Sequence, residues 1–202
     1  MAAVDSSLAL YKEKLTERLS LILPGSVLNL PGMAETKTIL RRVVDAGTGR
    51  KKWHKLRHVN RIRYLTLVLE KKVVSGGVYF AHYEKPIPYF FPIVEVLYTA
   101  ISRMTTSRYK ARIHVDGIDQ QKAKELTNAL RAKGIMLHKV RSRRDESEPL
   151  IRLADMWAGC IRSALLHKDN AEALVLRATR GKYLSLTSRH KRIKSLQDAG
   201  IL

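Results

Sequence analysis

The middle of the chain contains a strand, a helix and a second strand in direct succession. The stretch YKARIHVDG at 109–117 alternates apolar and polar side chains, as strands do, and Gly117 ends it. QQKAKELTNALRAKG at 120–134 has helical periodicity with Gly134 as its C-cap, and IMLHKV at 135–140 has the composition of a strand. Since strands that alternate with helices usually pair in parallel, this pattern predicts an α/β fold with at least one parallel crossover.

The other patterns are mainly helical. Apolar residues recur at helical spacing from Leu8 to Ile22, and Pro24-Gly25 ends that segment. Further helices are predicted at 35–46, 50–72, 93–104 and 171–181, followed by a weakly helical tail to Leu202, and a strand is predicted at 78–84.

The charge of the chain restricts its partners. Lys and Arg number 38 against 18 Asp and Glu, which gives a formal net charge of +20 over 202 residues. Such an excess favours a polyanion, because neutralised phosphates release counterions and drive binding. DNA or RNA is the partner that we expect, while an anionic membrane surface and plain solubilising charge are the alternatives.

The cations fall into three clusters. A nearby aromatic side chain can stack on an unpaired base, so Trp53 is a candidate for base stacking, although a role in the core is equally compatible with the sequence. The candidate nucleic-acid-binding residues are Arg50, Lys51, Lys52, Trp53, Lys55, Arg57 and Arg61 in the first cluster, Lys139, Arg141, Arg143 and Arg144 in the second, and Arg189, Lys191 and Arg192 in the third.

Several classes of protein are disfavoured by the sequence. Cys160 is the single cysteine, so an intrachain disulfide and a cysteine-based zinc cage are excluded. The opening MAAVDSSLALYKEKL lacks the pattern of a signal peptide, and the apolar stretch at 86–94 is short and rich in proline. We therefore expect a cytoplasmic protein that does not enter a membrane.

Two aspartates are the candidate catalytic groups. Asp155 lies within LIRLADMWAG at 150–159, a helical run that is apolar nearly all round, and a buried carboxylate needs a partner. That partner is Arg152 or a loop amide if the residue is structural, and a metal ion if it is catalytic. Asp116 ends a predicted strand, where α/β sheets place ligands, although Asp-Gly also makes a turn. Two carboxylates brought together would favour Mg²⁺ or Mn²⁺.

The order of IHVDG, a helix, a strand and SEPLIRLADMWAGCIRSAL resembles the carboxyl half of the domain-of-unknown-function 3800 family. The closing signature of that family, a serine, a short gap and L-(L/I)-Q-L-A-D followed by two hydrophobic residues and A-G, is matched by Ser147, Leu150, Ile151, Leu153, Ala154, Asp155, Ala158 and Gly159. The middle E-(L/I)-K motif is matched more loosely by Glu35-Thr36-Lys37. The resemblance runs from about residue 8 to 170.

This resemblance implies an RNase H-like mixed sheet flanked by helices, in proteins regarded as metal-dependent nucleases and found beside bacterial defence and mobile-element genes. It implies that Glu35, Asp116 and Asp155 are metal ligands, with Lys37 near the phosphate. Glu35 has an alternative interpretation, because an acid in the first turn of a helix stabilises the helix dipole without any chemistry. We expect one RNase H-like domain over 1–202, with a basic helical insertion at about 50–72 and a basic tail at about 177–202.

The sequence departs from the family at two places. Arg152 stands where the family usually has glutamine. The family also opens with a strand carrying D-E-S-G and two more antiparallel strands, whereas VDSS here precedes a predicted helix, which makes Asp5 a helix cap. We therefore expect a sheet that is incomplete at its N-terminal side and is completed by a second copy or a partner chain, since open sheet edges are normally covered.

Three functions remain compatible with the sequence: two that involve nucleic acid and one that involves a protein partner. The first is a metal-dependent nuclease that hydrolyses phosphodiester bonds of DNA or RNA. The second is a catalytically inactive nucleic-acid-binding subunit of a larger nucleoprotein or defence complex. The third is an interaction protein for an acidic protein partner, which a weak salt dependence of nucleic-acid binding would indicate.

Overall fold

The computed structural model describes residues 22–25, 33–45, 51, 53–74, 77–81, 90–104, 109–116, 118–143, 149–168 and 170–187. The strands are β1 (Ile22–Gly25), β2 (Val78–Phe80), β3 (Lys110–Asp116), β4 (Leu137–Arg143) and β5 (Leu184–Leu186). The helices are α1 (Met33–Asp45), α2 (His58–Glu70), α3 (Phe90–Met104), α4 (Gln120–Ala132), α5 (Pro149–Leu165) and α6 (Ala171–Arg180), with a 3₁₀ turn at Trp53–Lys55. The fold is mixed α/β, as the sequence predicts.

The larger sheet has the order β1-β3-β4. β3 and β4 pair in parallel and are joined by α4, which confirms the predicted parallel crossover. Asp119 caps α4 by accepting a hydrogen bond from the backbone N–H of Lys122 at 2.7 Å, and Gly134 follows the helix with a φ of +82°. A cap at each end explains why this helix is bounded where the sequence predicts.

The prediction of a helix reaching Ile22 is wrong at that residue. Ile22–Gly25 is a strand that pairs antiparallel with β3, with Ile22 opposite Ile113. Pairing with a neighbouring strand outweighs the local helical spacing here. Pro24 is tolerated because β1 is an outer strand of this sheet among the described residues, and an outer strand needs hydrogen bonds on one side only.

The prediction of a helical tail is wrong at residues 184–186. After α6 the chain turns and enters β5, which pairs in parallel with β2. The backbone N–H of Thr187 extends the contact by donating to the carbonyl of Phe80 at 2.8 Å. The helical expectation for residues 188–202 lies outside the described part of the chain.

Two apolar clusters form the core. One lies between α3, α4 and the strands β3 and β4, and includes Ile101, Ile113 and Leu130. The other joins α1, α2, α5 and α6 with β2 and β5. Residues 149–161 are all buried, which confirms the near-continuous burial expected of the LADMWAG helix. Trp53, Leu56, Tyr64, Leu65 and Val68 belong to this second cluster, so the basic segment at 50–72 is packed into the core along its apolar side.

No helix in the described part of the chain is long and apolar enough to span a membrane.

Candidate functional site

Asp155 is a buried carboxylate with a backbone partner. It lies in the middle of α5 with 4% of its surface exposed. Its Oδ2 accepts a hydrogen bond from the backbone N–H of Trp53 at 2.7 Å. Trp53 opens the 3₁₀ turn, and the first N–H groups of a helical turn have no acceptor within it. The carboxylate therefore anchors a turn that lies 102 residues earlier in the chain.

Gly159 leaves space for the same tryptophan. It lies one helical turn after Asp155, on the same side of α5. A Cβ at this position would lie closer than 3.0 Å to Cγ, Cδ1 and Cδ2 of the Trp53 indole. Asp155 and Gly159 therefore both contact Trp53: the carboxylate accepts its backbone N–H, and the glycine leaves room for its ring. These two contacts account structurally for the D-x-x-x-G spacing in LADMWAG.

Of the two roles that the sequence allows for Trp53, stacking on a nucleic-acid base is not compatible with this structure. Its side chain is 3% exposed and belongs to the core. The Arg61 guanidinium lies over the ring, 5.1 Å from the centroid, and Arg61 Nη2 donates to the carbonyl of His54 at 3.3 Å. A ring that is buried between a helix and a guanidinium has no free face for a base, so the core alternative holds.

Further polar side chains are buried near Asp155. Arg152 is 5% exposed and Tyr64 is 1% exposed. Burial raises the pKa of Tyr64 well above its ordinary value, while the positive charge of Arg152 lowers it and the negative charge of Asp155 raises it. Both charges therefore lie close enough to act on this hydroxyl. Asp155, Arg152 and Tyr64 therefore form a polar cluster, which is buried within the apolar cluster that joins α1, α2, α5 and α6.

Tyr183 continues this polar cluster toward β5. Its hydroxyl donates to the carbonyl of Val73, and its ring lies against that of Trp157 with centroids 5.4 Å apart. Burial raises the pKa of Tyr183, the neighbouring indole N–H of Trp157 lowers it, and the proximity of Tyr64 raises it. Both tyrosines are therefore neutral at physiological pH and support the fold through packing and hydrogen bonds.

The other expected metal and phosphate ligands lie on α1 and β3. Glu35 is exposed in the first turn of α1, where it also complements the helix dipole, and Lys37, two residues later, is half-buried. Asp116 is the last residue of β3, and only its backbone is described. Within the described ranges, no three His, Cys, Asp or Glu side chains gather into a group that could hold a metal ion.

The register between β3 and β4 places cations beside Asp116. Across the parallel pair, Arg112 lies opposite Lys139, His114 opposite Arg141, and Asp116 opposite Arg143. Since residues two apart along a strand share a face, all six positions lie on one face of the sheet. The strand end that carries Asp116 is therefore flanked by the second basic cluster of the sequence.

The described cations of the predicted interface are largely at the surface. Lys51, Lys55, Arg57, Lys139 and Arg141 are exposed, and Arg61 is half-buried over Trp53. For Arg143 the backbone alone is described. The predicted residues Arg50, Lys52, Arg144, Arg189, Lys191 and Arg192 lie outside the described residues.

One basic surface was not singled out from the sequence. A groove of about 610 Å³ runs between α4 and β4 and is lined by Lys124 in addition to the expected Lys139 and Arg141. Lys124 belongs to an ordinary amphipathic helix, and nothing in its local sequence distinguishes it from the other lysines of α4. The strand–helix–strand pattern was the available signal, because it places one side of α4 beside the strand that follows it.

Comparison with known proteins gives no relative: no family model, no curated protein and no solved structure matches this chain.

Proposed function

We propose that this chain binds DNA or RNA through its cationic surface, on an RNase H-like scaffold. The observation that carries the proposal is the pair of exposed cations, Lys139 and Arg141, on the strand beside Asp116. The net charge of +20 supports it, since most phosphate-binding energy comes from counterion release and needs many accessible cations. Phosphate contacts of this kind position a nucleic acid without reading its sequence.

The RNase H-like part of the proposal rests on the larger sheet. β3 is its central strand, with an antiparallel neighbour in β1 and a parallel neighbour in β4. A mixed sheet with helices packed against it is the arrangement that the family resemblance implies. The resemblance also suggests a link to bacterial defence or mobile elements, and the sequence pattern suggests a cytoplasmic protein; we include both in the proposal.

Association is a further part of the proposal. Among the described residues, β1 pairs with β3 alone, and outer strands of a sheet are commonly covered. We assign β1 as the edge at which a second copy or a partner chain extends the sheet.

The salt dependence of binding tests the proposal. We expect labelled single-stranded and duplex DNA and RNA to bind at low NaCl, with an affinity that falls steeply as salt is added. Fluorescence anisotropy measures this directly. Poly-glutamate is the matched competitor, because it carries regular negative charge without phosphate. A chain that binds poly-glutamate but no nucleic acid would instead be an interaction protein for an acidic partner.

Metal-dependent hydrolysis of phosphodiester bonds is a second candidate, favoured by the position of Asp116 at the carboxyl end of β3. Asp116, Asp155 and Glu35 are the residues that would hold Mg²⁺ or Mn²⁺, with Lys37 near the phosphate. The described residues do not by themselves fit this set, because no three acidic, His or Cys side chains among them gather into one group, and Oδ2 of Asp155 already accepts the Trp53 N–H.

A cleavage assay distinguishes the nuclease from the binding protein. Wild type, Asp116→Asn and Asp155→Asn are incubated with end-labelled DNA and RNA in Mg²⁺, in Mn²⁺ and in EDTA. The proposed binding role predicts no metal-dependent cutting by any of the three, with binding retained. Cutting by wild type that is lost in both variants, with both variants still folded at the assay temperature, would establish the second candidate.

A further inference from the structure

The groove between α4 and β4 is built from one side of the helix and one edge of the strand. The helix contributes Gln120, Ala123, Lys124 and Thr127, which lie at the i, i+3, i+4 and i+7 positions of one helical face. The strand contributes five consecutive residues, 138–142. Because both sides of the strand's pleat take part, the groove follows its outer edge. Its volume of about 610 Å³ lies within the range of about 300–1,000 Å³ that is typical of ligand sites.

The outer edge of β4 supplies backbone donors to this groove. Among the described residues β4 pairs with β3 on one side and with no other strand. The N–H groups that point away from β3 are therefore directed toward the groove. Backbone N–H groups are regular ligands of phosphate oxygens in nucleic-acid complexes.

A bulge turns the cations of β4 outward. Between Ala111 and Arg112 the register changes, and β4 has one extra residue, His138, at that point. Leu137 and Val140 both pack in the core although they are three residues apart, which a regular strand does not permit. The bulge makes this possible, and as a result Lys139 and Arg141 are exposed.

The groove is positively charged. Lys124, Lys139 and Arg141 are exposed at its walls, whereas the acid among its described lining residues is Asp119. The carboxylate of Asp119 accepts the N–H of Lys122 and pairs with Lys122 Nζ at 3.2 Å. These interactions lower the pKa of Asp119, chiefly through the backbone hydrogen bond. The negative charge of Asp119 is therefore paired with Lys122. Glu125 of α4 is hydrogen-bonded to Gln121 and does not line the groove.

The spacing of these cations matches a single nucleic-acid strand. Lys139 and Arg141 are two residues apart on β4, and side chains at that separation recur about every 6.7 Å along one side of a strand. This repeat is close to the distance between successive phosphates of an extended single strand. An acidic peptide is the other ligand that such a sheet edge could bind, and poly-glutamate serves as its probe in the test below.

We propose that the groove between α4 and β4 binds the sugar–phosphate backbone of single-stranded DNA or RNA, with Lys124, Lys139 and Arg141 contacting its phosphates. This proposal rests on the nucleic-acid-binding function proposed above and assigns that function to one surface. The nucleic-acid strand lies along the outer edge of β4, where the backbone N–H groups of β4 bind the same phosphates as the three cations.

The test compares two variants of equal charge. The groove variant carries Lys124→Gln, Lys139→Gln and Arg141→Gln, and the control variant carries Lys71→Gln, Arg131→Gln and Arg180→Gln. All six side chains are exposed, so both variants are expected to fold. The probes are fluorescein-labelled oligothymidylate, oligouridylate and a DNA duplex, titrated at several NaCl concentrations and followed by anisotropy, with poly-glutamate as competitor.

We expect the groove variant to bind the single-stranded probes about tenfold more weakly than wild type. The slope of the logarithm of the binding constant against the logarithm of salt concentration is expected to be shallower by about 2, because each phosphate contact with a single strand contributes about 0.7 to that slope. The control variant is expected to show a much smaller change. Equal affinities of the two variants for single strands, with wild-type binding intact, would overturn the groove but leave the proposed function standing. Wild type that binds no nucleic acid would overturn both. Weakening confined to the duplex or to poly-glutamate would assign the groove to a different ligand and overturn it.

Discussion

Alanine at position 159 is expected to lower the free energy of unfolding by about 3 kcal/mol, because it forces a methyl group into a closely packed core. The Cβ would overlap three atoms of the Trp53 indole, a rigid ring that cannot bend away from it. Moving the ring would also disturb the Trp53 N–H that donates to Asp155 and the Arg61 guanidinium over its face. Urea denaturation followed by tryptophan fluorescence measures the effect, since Trp53 and Trp157 are both buried.

Gly181→Ala is the matched control for this substitution. Gly181 follows α6 with φ of −75°, and a Cβ there would lie 3.2 Å from the carbonyl of Arg177, a contact that needs an adjustment of a few tenths of an ångström. We expect its unfolding free energy to stay within about 1 kcal/mol of wild type, because alanine also restricts the unfolded chain. Equal midpoints for Gly159→Ala and wild type would contradict the packing of Trp53 against α5.

Asp155→Ala is expected to destabilise the chain by about 3 kcal/mol, whereas Asp155→Asn costs about 1 kcal/mol. Alanine removes the acceptor of the Trp53 N–H and leaves a buried donor without its partner, which carries the full cost of desolvation. Asparagine keeps an oxygen at the same position and therefore keeps the hydrogen bond, although it loses the charge. The same urea titration compares the two variants.

Glu70→Ala serves as the control for removing a carboxylate, because Glu70 is exposed at the end of α2 and should change stability by less than about 0.5 kcal/mol. If the asparagine variant were as unstable as the alanine variant, the charge of Asp155 rather than its acceptor oxygen would support the fold. A variant pair as stable as wild type, with cleavage abolished, would make Asp155 a metal ligand.

The sequence predicted that Asp155 needs a partner and allowed a loop amide, but it did not indicate which amide. A carboxylate in an apolar helix requires compensation, and that argument is local. The Trp53 amide comes from a turn far away in the chain, and the basic neighbours of Trp53 indicated a surface segment. The role of Gly159 was missed for the same reason. The function of a glycine within a helix can be assigned only when the side chain that packs against it is known.

Elements with caps or regular alternation were predicted well from the sequence. β3 alternates regularly and α4 has a cap at each end, and the crossover that they form with β4 is confirmed. β1 and β5 were missed because each has only four or three residues and exists through pairing with a distant strand, Ile22 with Ile113 and Leu184 with Val78. Short strands carry little periodicity of their own, so pairing overrides their local preference.

The sequence predicted the positive charge of the candidate site but not which residues form its surface. Counting cations indicated an anionic partner, yet it could not separate Arg61, which lies over Trp53, from Lys139 and Arg141, which are exposed. The bulge at His138 decides which side chains of β4 turn outward, and it arises from the register with β3. The contribution of Lys124 depends likewise on how α4 lies against β4.

The most direct test of the account is the affinity of the wild-type chain for oligothymidylate and for duplex DNA as a function of NaCl concentration. A nucleic-acid-binding surface built from the exposed cations predicts that the logarithm of the binding constant falls linearly with the logarithm of salt concentration. Five or more phosphate contacts would give a slope of about −3.5 or steeper for a single strand. A slope near zero, or no binding at the lowest salt, would contradict the proposal that this chain binds nucleic acid.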